Sequence, residues 1–217
     1  MKWQRRGDKL FGANGETYEL FPHEYWYAAP SRTAYRRGER VRPLEFAFAL
    51  NNAALGEGLL ISPIVLMNGF EPGTEKGGAA AEAEALLETL RCEKHPNRPS
   101  RLCSYFLNYD RATAEFRAQD SLRRNRALTP CFLVGGGRAH FADAGIYERL
   151  EGRPDDASLA EAYWQTFTPR TPDEALRLEI LTNTALYFPE WATFPILESE
   201  VLVNWQVDKT AKPNAGG

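Results

Sequence analysis

Apolar and polar positions change over in short blocks along this chain, with no long uniform run. Tyr25-Trp26-Tyr27-Ala28-Ala29 is rich in β-formers and predicts the first firm strand. Residues 102–107 predict a buried strand, with Tyr105 towards its end and Asp110 beyond it as the N-cap of a helix. Residues 79–91 are rich in Ala, Glu and Leu, and Leu86, Leu87 and Leu90 share one face, which predicts a helix. Residues 130–134 predict a short buried strand closed by Gly135-Gly136-Gly137. Ser158 and Glu161 have the spacing of a capping box, opening a helix that runs through Trp164. Thr171 offers a second cap with Pro172 at the first helical position. That helix must be short, because Leu176, Leu178 and Ile180 alternate as a strand would. Further strands are expected at 185–188 and 200–207. Residues 1–20 read as a loose polar lead-in, 36–43 as a charged connection, 68–78 as an exposed loop and 209–217 as a polar tail. Residues 44–67 show no clear division.

Many short strands with a few interspersed helices predict an α+β architecture on mainly antiparallel sheets, in one domain over residues 1–217. Hydrophobic residues make up 43% of the chain and charged residues 25%, the proportions of a soluble globular protein. A net charge of −3 argues against wholesale electrostatic wrapping of nucleic acid. It leaves local basic runs at residues 36–40 and 123–126. The cysteines at 92, 103 and 131 form no disulfide framework, and 103 and 131 fall in predicted strands. Cys92 and His95 are spaced like metal ligands but lack a second pair, so no metal is expected. The glycine triplet lacks the Lys-Ser/Thr end of a phosphate loop and reads as a turn. No apolar run suits a membrane or a leader, so the expected setting is cytoplasmic, or that of a delivered toxin domain.

The densest chemistry lies around Asp110. Tyr105 and Phe116, with the hydroxyl of Thr113 between them, make either a slot for a flat heterocycle or simply core packing. Tyr105-Phe106-Leu107 followed by Ala112-Thr113-Ala114-Glu115-Phe116 resembles the nicotinamide-binding segment of the ADP-ribosyltransferase superfamily. In its poly(ADP-ribose)-polymerase-like branch, a Tyr-Phe-Ala strand end precedes a helix start carrying Ser and then Tyr. Thr113 falls at the Ser and Phe116 at the second aromatic. The run from His95 through Arg98 to Arg101, with Ala162-Tyr163-Trp164, resembles an uncharacterised bacterial family associated with that superfamily. The likeness touches most of residues 24–190.

The resemblance implies two small antiparallel sheets enclosing a cleft for NAD⁺, which is consumed as substrate without a metal. The implied activity is mono-ADP-ribosyl transfer to a macromolecular acceptor, in the manner of bacterial toxins. Tyr105 and Phe116 would flank nicotinamide and Thr113 would hold its carboxamide. Tyr27 falls where the superfamily usually has His, and Ala28 where it has Gly; Tyr27 would contact the ribose. His23 takes that part under a shifted register. Arg32 or Arg101 would contact the pyrophosphate. With Tyr105, the implied catalytic set needs a glutamate that stabilises the oxocarbenium-like transition state. Glu179 and Glu200 both begin strand-like runs. Glu179 is favoured, because the chain beyond it has room for the strand that normally pairs with the glutamate strand. The implied partners are NAD⁺, an acceptor protein or nucleic acid and, as for toxins, a cognate inhibitor or antitoxin protein, with no membrane. Two rivals share the site. One is a degenerate member of the fold that binds a nucleotide, protein or nucleic acid without transfer, favoured by the missing His. The other is an NAD⁺ glycohydrolase toxin with water as acceptor.

Overall fold

The computed structural model describes residues 3–12, 15–30, 59–60, 78–119, 126–136 and 138–190. The expected strands at Tyr25 and at 185–188 are present; Arg32, Glu200 and the features expected at 36–43, 68–77, 200–207 and 209–217 lie outside the described residues. Ten strands are described: β1 (Gln4–Arg6), β2 (Lys9–Phe11), β3 (Thr17–Glu19), β4 (Tyr25–Pro30), β5 (Leu59–Leu60), β6 (Tyr105–Asn108), β7 (Arg126–Val134), β8 (Ala139–Asp143), β9 (Leu178–Thr182) and β10 (Ala185–Tyr187). The helices are α1 (Ala79–Lys94), α2 (Arg111–Ala118), α3 (Ala144–Glu151), α4 (Ala157–Tyr163) and α5 (Pro172–Ala175). Strands β1 to β3 form a meander, and the other seven form one open sheet in the order β5-β10-β7-β4-β6-β9-β8. Every pairing is antiparallel, so the architecture is α+β with antiparallel sheets.

Because successive strand side chains point to opposite faces, the seven-stranded sheet carries two distinct cores. One face gathers Tyr25 and Tyr27 of β4, Tyr105 and Leu107 of β6, Cys131 and Leu133 of β7, Leu178 and Ile180 of β9, and Leu186 and Phe188. Over β6, β8 and β9 the other face is covered by helices. Leu87 and Leu90 of α1, Leu150 of α3 and Tyr163 of α4 close with Trp164 over Ala142 and Leu181. Trp164 is fully buried and donates its indole N–H to the Leu87 carbonyl at 2.9 Å, which ties α4 to α1.

Several local readings are corrected. The first twenty residues are not a loose lead-in: Leu10 is wholly buried and joins Leu20, Phe132, Val134 and Tyr187 in a third core. The Arg5 guanidinium sits 3.7 Å above the Phe132 ring, so a side chain that looks freely solvated covers an aromatic face. Residues Arg101–Cys103 form a 3₁₀ turn, with Ser100 accepting from the Leu102 N–H, so Tyr105 starts its strand and Cys103 lies outside it. The cap of α4 is Asp156, which accepts from the Ser158 and Leu159 N–H groups. Glu161 is drawn away to Lys94 at 2.7 Å and His95 at 3.1 Å, so no capping box closes. The strand expected at 130–134 is nine residues long. The other caps are as the spacing predicts: Asp110 accepts from the Thr113 N–H, and Thr171 from the Glu174 N–H with Pro172 following. Gly135 turns the chain after β7 at φ +72°, a conformation that favours glycine, and its N–H donates to the Glu19 carbonyl at 2.7 Å.

Candidate functional site

The residues expected to share one site fall into three environments. Tyr27 and Tyr105 pack edge to face at 6.2 Å in the first core, 5% and 1% exposed. Burial, and then the neighbouring Tyr27, push the Tyr105 hydroxyl well above its ordinary range. Ala28 follows on β4 opposite Leu128. Phe116, by contrast, is 51% exposed on α2, so it does not line a common slot with Tyr105. Thr113, three residues before it, is buried.

Glu179 is on the other face. Its register partners are Asn108 on β6 and Ala142 on β8, while Leu107 and Ile180 pair on the Tyr105 face. Beneath the helices it meets Arg101, whose Nη1 donates to Glu179 Oε1 at 2.8 Å. The same Arg101 donates through Nε to Glu84 of α1 at 3.1 Å, and through Nη1 to the Tyr163 hydroxyl. Tyr163 in turn donates to Glu179 Oε1 at 2.7 Å. The guanidinium lies 4.0 Å from the Tyr147 ring centroid and 4.9 Å from that of Phe106. Burial opposes ionisation of Glu179. Arg101, then Arg117 and the Tyr163 hydrogen bond, outweigh it and hold the carboxyl below its usual range. The network is closed on itself, with one guanidinium shared between two buried carboxylates and the Tyr163 hydroxyl. Arg101 is spent on Glu84 and Glu179 beneath the helices, and Glu179 does not face the aromatic pair.

What the strand–helix junction does form is a cavity of about 500 Å³, within the range of small-molecule sites. Tyr109 and Asp110 at the end of β6, Thr113 of α2, Phe141 of β8, Leu178 of β9 and the 166–169 segment are among its walls. The Phe167 N–H donates to the Phe141 carbonyl at 2.9 Å, which fastens that segment to the edge of the sheet. Arg117 of α2 donates to the carbonyls of Leu176 at 3.3 Å and Arg177 at 2.8 Å, joining the two sides of the cavity. Three aromatic rings, the hydroxyls of Thr113, Thr166 and Thr168 and one carboxylate suit a flat, polar heterocycle. Of the expected site residues among those described, Thr113 alone is on this wall. His23 is its neighbour: its ring stacks on Tyr109 at 4.1 Å and its Nε2 donates to the Tyr109 carbonyl at 2.8 Å. Sequence reasoning missed Tyr109, Phe141 and Phe167. The one available signal was Thr166-Phe167-Thr168-Pro169, a ring between two hydroxyls in a segment that proline keeps extended. Cys92 and His95 turn to Glu88 and Glu161 respectively, and among the described residues no group of three or more His, Cys, Asp or Glu could hold a metal ion. Nor, among them, is any helix long and apolar enough to cross a membrane. Compared with protein-family models and with curated proteins, the chain matches none.

Proposed function

We propose that this chain is a mono-ADP-ribosyltransferase that consumes NAD⁺, with nicotinamide held in the cavity at the β6–α2 junction. The observation that carries this reading is the cavity itself. It opens at the junction whose sequence resembles the nicotinamide-binding segment, and Thr113 is on its wall beside aromatic rings. A cationic pyridinium suits rings and a carboxylate, and the threonine hydroxyls suit its carboxamide. In the reaction the bond from ribose C1′ to the nicotinamide nitrogen breaks, and nicotinamide leaves with the electron pair. An acceptor nucleophile bonds to C1′ and gives up its proton. A carboxylate must face the developing positive sugar. Arg101 holds Glu179 on the helix-covered face, which leaves Glu200, the other glutamate that begins a strand-like run, to carry that charge. The acceptor is a protein or a nucleic acid.

A second reading, a binder of nucleotides that transfers nothing, draws on one observation. Tyr27, at the position expected to contact the ribose, is buried in the core. Incubation with NAD⁺ and identification of the products by mass spectrometry separates the two. Release of nicotinamide with ADP-ribose bonded to a protein or nucleic acid, slowed about 10²- to 10³-fold by Glu200→Gln and not by Glu179→Gln, supports transfer; nicotinamide with free ADP-ribose alone would make water the acceptor. Binding of NAD⁺ with no nicotinamide released would give the second reading the field.

A further inference from the structure

The run from His95 to Arg101 links α1 to β6, and three of its polar side chains are taken up by carboxylates. His95 meets Glu161, Ser100 donates to Glu88 at 2.8 Å, and Arg101 enters the buried network. Arg98 differs. Its Nη2 donates to the Thr166 hydroxyl at 2.9 Å, and Thr166 is on the cavity wall. No carboxylate among the described residues pairs with this half-buried guanidinium, which leaves most of its N–H donors open. Its backbone is held firmly: the Arg98 N–H donates to the His95 carbonyl at 2.9 Å, and Arg91 donates to the Arg98 carbonyl at 3.3 Å. Arg138 adds a second cation nearby, bonded to the Pro96 carbonyl at 3.4 Å and likewise without a carboxylate among the described residues.

We infer that Arg98 forms an anion subsite at the Thr166 rim of the cavity, which takes the phosphate-bearing end of a ligand whose flat ring lies against Tyr109, Phe141 and Phe167. Resting on the reading above, that ligand is NAD⁺ and the anion is its diphosphate. A fixed guanidinium fork meets phosphate oxygens in pairs, and an aromatic wall alone supplies nothing for them. The subsite also explains why one arginine of the run stays unpaired while its neighbours are neutralised.

Isothermal titration with three probes tests this: NAD⁺, ADP-ribose and nicotinamide, which carries no phosphate. Arg98→Ala should weaken NAD⁺ and ADP-ribose by about 10- to 100-fold and leave nicotinamide unchanged. Arg98→Lys, which keeps the charge and loses the fork, should recover part of the loss. Unchanged thermal melting of both variants would exclude a folding defect. Undiminished ADP-ribose affinity in Arg98→Ala would overturn the subsite, and so would an equal loss for nicotinamide. If the wild type binds neither NAD⁺ nor nicotinamide, the functional reading falls and inorganic pyrophosphate decides the subsite alone. Binding that Arg98→Ala removes sustains it, and no binding overturns it.

Discussion

Tyr105 and Glu179 belong to adjacent, paired strands and point to opposite faces of the sheet. Tyr105 pairs with Thr182 and Glu179 with Asn108, an odd step apart along each strand. The parity of a strand is a stronger constraint than proximity along the chain, since no rotamer carries a side chain through its own sheet. Two residues that a motif reading unites are therefore separated by the backbone between them.

The Arg101 network sets the first expectation. Arg101→Ala leaves Glu84 and Glu179 buried without their cation and should cost about 3–5 kcal/mol. Glu179→Gln keeps the shape and leaves Arg101 paired with Glu84, so its cost should be clearly smaller. Urea denaturation of the two variants measures both. Equal losses would mean that Glu84 alone does not hold the guanidinium.

Tyr105 and Phe167 separate core from cavity. Tyr105→Ala empties a fully buried ring site and should destabilise the fold by about 3–5 kcal/mol. Phe167→Ala should act chiefly on nicotinamide affinity, by about 1–3 kcal/mol for a lost stacking surface. Thermal melting and titration calorimetry on both variants give the contrast. A nicotinamide affinity unmoved by Phe167→Ala would remove the ring from the site.

His140 predicts the acid limb of stability. It is fully buried against Trp164 and bonded through Nε2 to the Tyr163 carbonyl at 3.0 Å. Burial pushes its imidazole down from 6.5 to about 4. Between those values the unfolded chain holds the proton and the folded chain does not, so stability rises with pH across the window. The contribution is complete above pH 6.5 and is lost as pH falls towards 4, about 3 kcal/mol in all. Glu179, whose carboxyl lies below its ordinary 4.5, adds a loss that begins only under that value. Urea midpoints at steps from pH 7 to pH 4 should fall for the wild type and stay flatter for His140→Gln. Parallel profiles would acquit His140.

The cap of α4 gives a smaller, sharper test. Asp156→Ala removes the acceptor for two N–H groups and should cost about 1 kcal/mol. Ser158→Ala should change stability by under about 0.5 kcal/mol. Chemical denaturation that reverses this order would restore Ser158 as the cap.

Local chemistry was legible in the sequence wherever one residue satisfies a neighbour's backbone. Asp110 caps α2 and Thr171 caps α5, because a short polar side chain reaches an N–H three residues on whatever lies elsewhere in the chain. The α1 helix and the strands at Tyr25, Leu178 and Ala185 followed from apolar spacing, and so did the mixed antiparallel architecture. Everything that required partners distant in sequence was decided by tertiary structure. The lead-in became a meander because Leu10 finds Phe132 and Val134 more than a hundred residues away. Glu161 closes no capping box because Lys94 at the end of α1 and His95 just beyond it stand opposite. Glu179, apparently a free carboxylate at a strand start, became the partner of Arg101 because pairing with β6 turned it under the helices, where an unpaired charge is costly. The cavity wall draws on Tyr109, Phe141 and Phe167, three rings on three separate segments, and only the packed sheet edge brings them together around one cavity.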